Sequence, residues 1–272
     1  MKEKRNLKEM IWLIIGGLSA ICMLTGAFFL GRYYLDYRRQ QGYNAEFQKI
    51  WQEIPETAAS QDPSGESQAE QDGAEVVDEK LMKAYAELKE INDDYVFWLK
   101  LPDTQIDYPV VWLDNQYYLK HNFYSEKNGH GAIFLDENCK PEDDWLLVHG
   151  HHMKDGSMFA GLKDYLDEGY RNSHKTAELS METKRHTYQL FAAAHVNLLD
   201  DTSFRYEELP AGLKERAEYV DLLQYHCFYY ETPDYEDGDR LLLLSTCDYR
   251  TQDERLVLFY IEKGEDTTLC EP

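Results

Sequence analysis

The chain has 272 residues, which is enough for one sizeable folded domain with appendages. Its formal net charge of −23 excludes nucleic acid as an expected partner, because phosphate binding requires concentrated Lys and Arg, and it also keeps the acidic domain off an anionic membrane surface. Hydrophobic residues make up 43% of the sequence and aromatic residues 14%, as expected of a folded, strand-rich protein.

The N-terminus has the pattern of a membrane anchor. Residues 1–9 form a short basic tail, and residues 10–31 form an uncharged stretch that is long enough to cross a bilayer as a helix. A cleaved signal peptide is the alternative interpretation, but no cleavage site of the A-x-A type follows the apolar core. We therefore predict a retained single-pass anchor with a cytoplasmic tail, because a short basic segment favours the inner side of the membrane.

The next segment, residues 32–77, is predicted to be a stalk followed by a flexible acidic linker. Its second half is rich in Ser, Gln, Ala, Glu, Gly and Pro, and such a segment cannot bury enough apolar surface to offset the entropy lost on ordering. A folded domain is then expected over residues 78–272. It opens with a helix that packs one face on the domain, since apolar residues recur there at helical spacing. These residues are Leu81, Tyr85, Leu88 and Ile91.

Eight short strands are predicted after this helix, separated by turn signals such as Pro102-Asp103. They are Val96–Leu101, Ile106–Trp112, Ala132–Leu135, Trp145–His149, Ala177–Met181, His186–Val196, Leu241–Ser245 and Arg255–Ile261. Many short strands with few helices favour a closed or nearly closed barrel over an alternating parallel sheet. An apolar pattern over Pro210–Tyr225 predicts an amphipathic helix inserted before the seventh strand.

The cysteines do not form a disulfide or metal pattern. There are five of them, an odd number, and none is part of a C-x-x-C motif. We expect Cys139 and Cys227 to be buried as small hydrophobic residues. Cys247 differs, because it follows the continuous apolar run Leu241–Leu244 and therefore lies where a buried strand emerges.

Cys247 and Arg255 are predicted to bracket one loop between two strands. A thiol requires a positive field to ionise, and a carbonyl that it attacks requires a donor for the developing oxyanion; an arginine can meet either need. Ser245 and Tyr249 lie close enough in sequence to orient a substrate amide, although local hydrogen bonding within the loop is an equal alternative.

The base that this chemistry requires is expected in the stretch WLLVHGHHM, where an apolar strand ends in His149, His151 and His152. A histidine that is distant from a cysteine in sequence but close to it in the fold is the usual proton shuttle of a thiol nucleophile. A metal site built on these three histidines is the alternative, but the remaining histidines show no spacing that would complete it.

Several ordered segments resemble the motifs of class B sortases, the membrane-anchored transpeptidases of Gram-positive bacteria. They are NDDYVFWLKLPDTQIDYPVVWLDNQYYLKHNF, GHHMKDGSMF, LSTCDY and RLVLF, and the match runs in order from about Asp78 to Lys263. By position, the family's catalytic histidine, nucleophile and arginine fall on His151, Cys247 and Arg255. One departure is His149, where the family often has an aromatic residue.

The resemblance implies an eight-stranded sortase barrel with residues 78–272 as the catalytic domain outside the membrane. It also implies a helix beside the substrate groove before the cysteine strand. The expected substrates are exported proteins with a C-terminal sorting motif of the Asn-Pro-X-Thr type, and the expected acceptor is an amine of the peptidoglycan precursor. No cofactor is expected. The residues leave open a thiol peptidase, a metal-dependent hydrolase and a non-catalytic, membrane-tethered peptide-binding module.

Overall fold

The structure is a computed structural model that describes residues 7–52, 79–197, 205–208, 213–236, 238–247 and 254–263. The chain divides into two compact units, Met1–Glu46 and Phe47–Pro272. The first unit is formed by most of helix α1, which runs over Leu7–Gln52. Within α1, the segment Met10–Arg39 has a mean hydropathy of 2.2 and is long and apolar enough to cross a membrane. The predicted span at residues 10–31 lies inside this segment.

The second unit contains helix α2 (Glu79–Ile91), which packs one face on the domain as predicted. Leu81, Ala84 and Leu88 are buried on that face. Ile91 was expected on the same face but is 37% exposed, because the helix ends there and the chain turns away into the first strand. The apolar period therefore predicted the helix correctly, but it placed one residue too many, Ile91, on the buried face.

A closed barrel of eight strands forms the core of this unit, as the sequence predicted. The strands are β1 (Tyr95–Lys100), β2 (Asp107–Val111), β3 (Ile133–Leu135), β4 (Trp145–Gly150), β5 (Thr176–Ser180), β6 (Arg185–Asn197), β8 (Leu241–Cys247) and β9 (Glu254–Glu262). They pair in the order β5-β1-β2-β3-β4-β8-β9-β6, and β6 pairs back to β5 to close the barrel. A two-residue strand, β7 (Tyr229–Tyr230), adds to β6 and was not predicted.

Short helices cover the connections between the strands. They are α3 (Asn115–Tyr118), a 3₁₀ helix (Phe159–Leu166), α4 (Glu168–Ser173), α5 (Leu213–Leu222) and a second 3₁₀ helix (Leu223–Tyr225). The last two confirm the helix that the sequence predicted before the cysteine strand, although Pro210 lies outside the described residues. Of the apolar residues in this segment, Val220 and Leu223 are buried, whereas Leu222 is half-exposed.

Strands β4 and β8 pair in parallel at the centre of the sheet. Their apolar runs, Trp145–Val148 and Leu241–Leu244, are buried along their whole length. Parallel strands with both faces covered contain continuous rather than alternating apolar residues, which explains these two runs. On β4, for example, the Trp145 ring contacts Tyr219 of α5 with a centroid distance of 4.9 Å. The polar residues that follow both runs therefore emerge together at one end of the barrel.

Candidate active site

The register of three neighbouring strands brings the predicted catalytic residues to the same edge. In the parallel β4–β8 pair, Gly150 lies opposite Thr246, so His151 and Cys247 follow at adjacent strand ends. In the antiparallel β8–β9 pair, Cys247 lies directly opposite Arg255. Neighbouring strands are about 4.8 Å apart, so the backbones of these three residues lie side by side. Residues distant in sequence therefore meet in one place.

A cleft of about 270 Å³ opens at this edge. Three of the predicted site residues, His151, Ser245 and Arg255, line this cleft. Its other lining residues are Asn115, Gln116, Leu119, Phe134, Asp136, Asn138, His149, Gly150, Glu207 and Thr246. Tyr249, the other predicted substrate-binding residue, lies outside the described residues. The lining is largely polar, which suits a ligand with hydrogen-bonding groups such as a peptide.

Contacts on several sides hold the His151 ring in place. Its Nε2–H donates to the carbonyl oxygen of Leu119 at 2.8 Å, so in the neutral ring Nδ1 is the nitrogen that can accept a proton. The backbone carbonyl of His151 accepts from the N–H of Phe159 at 2.9 Å. Gly131 approaches the ring so closely that a Cβ on this glycine would lie 3.1 Å from His151 Cδ2. The ring is therefore oriented before any substrate binds.

His149 has a different partner from His151. Its Nε2 lies 3.0 Å from Oδ2 of Asp136, which follows strand β3. Burial by itself would raise the pKa of Asp136, but hydrogen bonds from His149, Asn138 and Asn115 outweigh it and hold that pKa well below its ordinary value. The carboxylate is thus ionised and orients the His149 ring against the Phe134 ring, with a centroid distance of 5.3 Å.

The three histidines at the end of β4 do not converge on one point. His149 binds Asp136, His151 binds the Leu119 carbonyl, and His152 pairs through its backbone with Met158. Among the described residues, no three His, Cys, Asp or Glu side chains are placed to hold a metal ion. This part of the structure therefore gives no geometric support to the metal-dependent alternative.

Ser245 is buried two residues before Cys247, near the end of β8. Its Oγ lies 3.0 Å from the hydroxyl of Tyr206, which in turn donates to Glu207 at 3.0 Å. Burial raises the pKa of Tyr206, so this hydroxyl stays protonated. These contacts place the Glu207 carboxylate at the cleft, where sequence reasoning had not predicted a residue.

Asn115 and Asp136 were also missed. Asn115 begins helix α3, and its side chain donates to Asp136 at 2.9 Å. The sequence did offer a signal for Asn115, because this residue lies in the segment DNQYYL, which the family resemblance covers. Asp136 and Glu207 had no such signal, since Asp136 meets His149 through the pairing of β3 with β4 and Glu207 is placed by the contact of Tyr206 with Ser245.

Cys139 and Cys227 behave as expected of structural thiols. Cys139 is buried and Cys227 is partly buried, and neither forms a disulfide. Burial raises the pKa of each thiol to about 12, so both remain protonated and unreactive at neutral pH. The strand-end cysteine, Cys247, is the one that the fold places beside a histidine and an arginine.

A closed β-barrel that brings a cysteine, a histidine and an arginine to one edge holds the groups that a barrel enzyme with a thiol nucleophile requires. Residues 99–260 match the family model described as the sortase domain. Since this match covers more than half of the chain, the protein belongs to the sortase family.

Its similar proteins are class B members. The chain is 36% identical to sortase B of Listeria monocytogenes over 168 residues, which span 60% of this chain and 66% of that protein. The crystal structure of Clostridium perfringens sortase B is 33% identical, with a TM-score of 0.61 over 66% of this chain and 99% of that one. The Staphylococcus aureus sortase B–substrate complex is 26% identical, with a TM-score of 0.60 over 68% of this chain and 86% of that one.

Proposed function

We propose that this protein is a sortase B-like cysteine transpeptidase. The observation that carries the proposal is the strand register, which places His151 at the strand end next to Cys247 and Arg255 directly opposite Cys247. A nucleophile, a proton shuttle and a cationic donor are the three groups that acyl transfer through a thioester requires.

In the first half-reaction, the Cys247 thiolate attacks a backbone carbonyl of the bound peptide. The Arg255 guanidinium donates hydrogen bonds to the oxyanion as it develops. The C–N bond then breaks, His151 as imidazolium gives its proton to the leaving amine, and a thioester remains on the sulfur. Because Nε2–H is held by the Leu119 carbonyl, this proton transfer falls to Nδ1.

In the second half-reaction, an incoming amine attacks the thioester. Neutral His151 accepts the proton that the amine loses, and the new amide forms as the C–S bond breaks. The oxyanion therefore forms next to Arg255, and the imidazolium forms on His151. Both residues are already at this edge before the reaction begins. The thiolate and the imidazolium are restored together, so the enzyme returns to its starting state.

The proposed acyl donors are exported proteins with a C-terminal sorting motif of the Asn-Pro-X-Thr type or a relative of it. The proposed acceptor is an amine of the peptidoglycan precursor. Ser245 is assigned to orient the peptide, because it lines the cleft and lies two residues before Cys247. It is also paired with His149 across strands β4 and β8. Tyr249 is assigned the same role from its sequence position alone. The S. aureus sortase B that was solved as a complex with a substrate supports substrate binding by this chain.

The proposed location is the cell membrane, with residues 10–31 as a single-pass anchor and residues 1–9 in the cytoplasm. Residues 32–77 then serve as the stalk and acidic linker, and residues 78–272 as the extracellular catalytic domain. The apolar helix supports the anchor, and the short basic tail supports the orientation.

The experiment is a mass-spectrometric assay of the full chain with sorting-motif peptides, with and without an amine acceptor. The proposal predicts an amine-ligated product that requires Cys247. If water alone resolves the thioester at every acceptor concentration, the protein is a thiol peptidase. Loss of activity on chelation, with no loss in Cys247→Ala, would favour the metal-dependent hydrolase. Peptide binding that produces no covalent change in any condition would favour the binding module.

A further inference from the structure

A buried histidine–aspartate pair, separate from His151, Cys247 and Arg255, joins two loops that hold His151. His130 lies just before β3, and Asp155 lies in the loop between β4 and the 3₁₀ helix that follows it. Nε2 of His130 is 2.9 Å from Oδ2 of Asp155, and their side chains are only 3% and 9% exposed. The mechanism described above uses neither residue.

Both nitrogens of the His130 ring face hydrogen-bond acceptors. Nδ1 lies 3.1 Å from Oδ1 of Asn128. The backbone N–H of His130 donates to the same atom at 2.7 Å, which identifies this atom as the amide oxygen. On the other side, Nε2 faces Asp155. Burial alone would raise the pKa of Asp155, but hydrogen bonds from Ser157 and His130 hold that pKa below its ordinary value, so the carboxylate is ionised and can only accept. Both ring nitrogens therefore face oxygen acceptors, and these two contacts fix the orientation of the His130 ring.

The first of the two loops touches the His151 ring. Gly131 follows His130 directly and has a φ of +62°. A Cβ on this glycine would lie 3.1 Å from His151 Cδ2, so any shift of the loop moves the surface on which the ring packs. Asn128, the other partner of His130, is fixed to the carbonyl of Lys120 through its backbone N–H at 2.8 Å. That carbonyl is next in the chain to the Leu119 carbonyl that binds Nε2 of His151.

The second loop carries the His151 backbone itself. It runs from His151 to Phe159, whose N–H closes it by donating to the His151 carbonyl at 2.9 Å. Asp155 stands at the middle of this loop and accepts from both the N–H and the hydroxyl of Ser157. The loop includes Met158 with a φ of +56°, a conformation that other contacts must hold in place for a non-glycine residue.

We infer that His130 and Asp155 form a positioning pair, which ties the loop carrying the His151 backbone to the loop supporting its ring. The pair acts on the reaction through His151, and the inference therefore rests on the proposed function. Of the charged groups in the described residues, Asp155 is the one within ion-pair distance of the His130 ring. Separating the pair allows the two loops to shift independently, which misplaces the shuttle relative to Cys247.

The test compares Asp155→Asn, His130→Gln and the double variant in the full chain. The matched control is Glu262→Gln, which breaks the ion pair between His186 Nδ1 and Glu262 Oε1, 2.6 Å apart, at the end of β9 opposite to Arg255. All rates are taken at a temperature where thermal unfolding curves show every variant folded, because loss of one partner of a buried ion pair also destabilises the fold. Both single changes keep a hydrogen-bonding side chain at the altered position.

With a sorting-motif peptide, each single variant is expected to lower kcat on the order of 10- to 100-fold with little change in KM. The double variant should be no worse than the poorer single variant, because the two residues act as one unit. Glu262→Gln should keep the wild-type kcat. Wild-type kcat in Asp155→Asn, or an equal loss in Glu262→Gln, would overturn the inference.

A second measurement keeps this inference separate from the proposed function. The rate of Cys247 alkylation by iodoacetamide is measured as a function of pH and followed on the peptide that contains Cys247. This measurement requires only the thiol and its neighbours. The inference predicts that Asp155→Asn changes this profile whereas Glu262→Gln overlays the wild type. Three superimposed profiles would overturn the positioning role, whether or not any peptide is turned over.

Discussion

Gly131→Ala is expected to damage the site through one added methyl group. The new Cβ would lie 2.6 Å from the carbonyl oxygen of Tyr118 and 3.1 Å from Cδ2 of His151. Ordinary contact begins at 3.4 Å, so the carbonyl must withdraw by about 0.8 Å. Tyr118 immediately precedes Leu119, whose carbonyl binds the His151 ring, and that hydrogen bond should move with it.

Two costs add at this position. The φ of +62° is strained for any residue with a Cβ, which costs about 1–2 kcal/mol. Displacement of the His151 ring by a large fraction of an ångström is expected to lower kcat on the order of 10- to 100-fold, since misplacement by 1 Å can cost about 100-fold. The variant should therefore lose both stability and turnover.

Two other glycines separate these effects. Gly129 has no positive φ, and a methyl group added there would meet nothing within 4 Å, so Gly129→Ala should match the wild type in both properties. Gly238 has a φ of +106° but open space around it, so Gly238→Ala should lose stability and keep its kcat. The assays are thermal unfolding and the rate of peptide acylation. Gly131→Ala with wild-type kcat, or with a kcat loss that Gly238→Ala shares, would refute the reasoning.

Two further predictions follow from the cleft. Arg255→Lys keeps the charge but loses the forked donors, so the ligation rate should fall on the order of 100-fold; a rate equal to the wild type would remove Arg255 from oxyanion binding. Asp136→Asn should cost about 1–3 kcal/mol of stability at pH 7, because its donors lose an ionised acceptor. Since the folded pKa of Asp136 lies below its unfolded value of about 3.9, this stabilisation is complete above that value and is lost as pH falls through the folded pKa. Urea unfolding should therefore show the two proteins converging in acid, and a constant difference down to acidic pH would contradict the assignment.

The barrel was predictable because its strands contain strong local patterns. The apolar runs of β4 and β8 predicted those strands, and the eight predicted strands end within one residue of the observed ones except at β8. Strand β8 continues two residues beyond Ser245, as far as Cys247. The polar residues at this end of the strand made the predicted strand too short. In the structure, backbone pairing with β9 continues it.

Shorter elements gave no such pattern. Helix α3 has four residues, fewer than two helical turns, and its start depends on the Asp114 side chain accepting from the Tyr117 N–H. Strand β7 has two residues, too few to show an alternation. The exposure of Ile91 and Leu222 could not be predicted from the sequence either. An apolar period indicates a helical face but not where the packing on that face stops.

The strand-end positions of three candidate site residues were predictable from the sequence, but their contacts were not. His151, Cys247 and Arg255 each lie at a strand end that the sequence reveals, and the resemblance assigned their roles. The carboxylates beside them were not predictable, since Asp136 binds His149 only through the pairing of β3 with β4. The parallel pairing of β4 with β8, separated by about 90 residues, likewise depends on the closed barrel.

The central claim, a thioester on Cys247, is tested most directly by the intact mass of the full chain after rapid acid quenching with a sorting-motif peptide. The account predicts a mass increase equal to the acyl fragment of the peptide, mapped to the peptide that contains Cys247 and discharged when an amine is added. The increase should be absent in Cys247→Ala. An adduct that persists in Cys247→Ala, or turnover without any dependence on Cys247, would contradict the account.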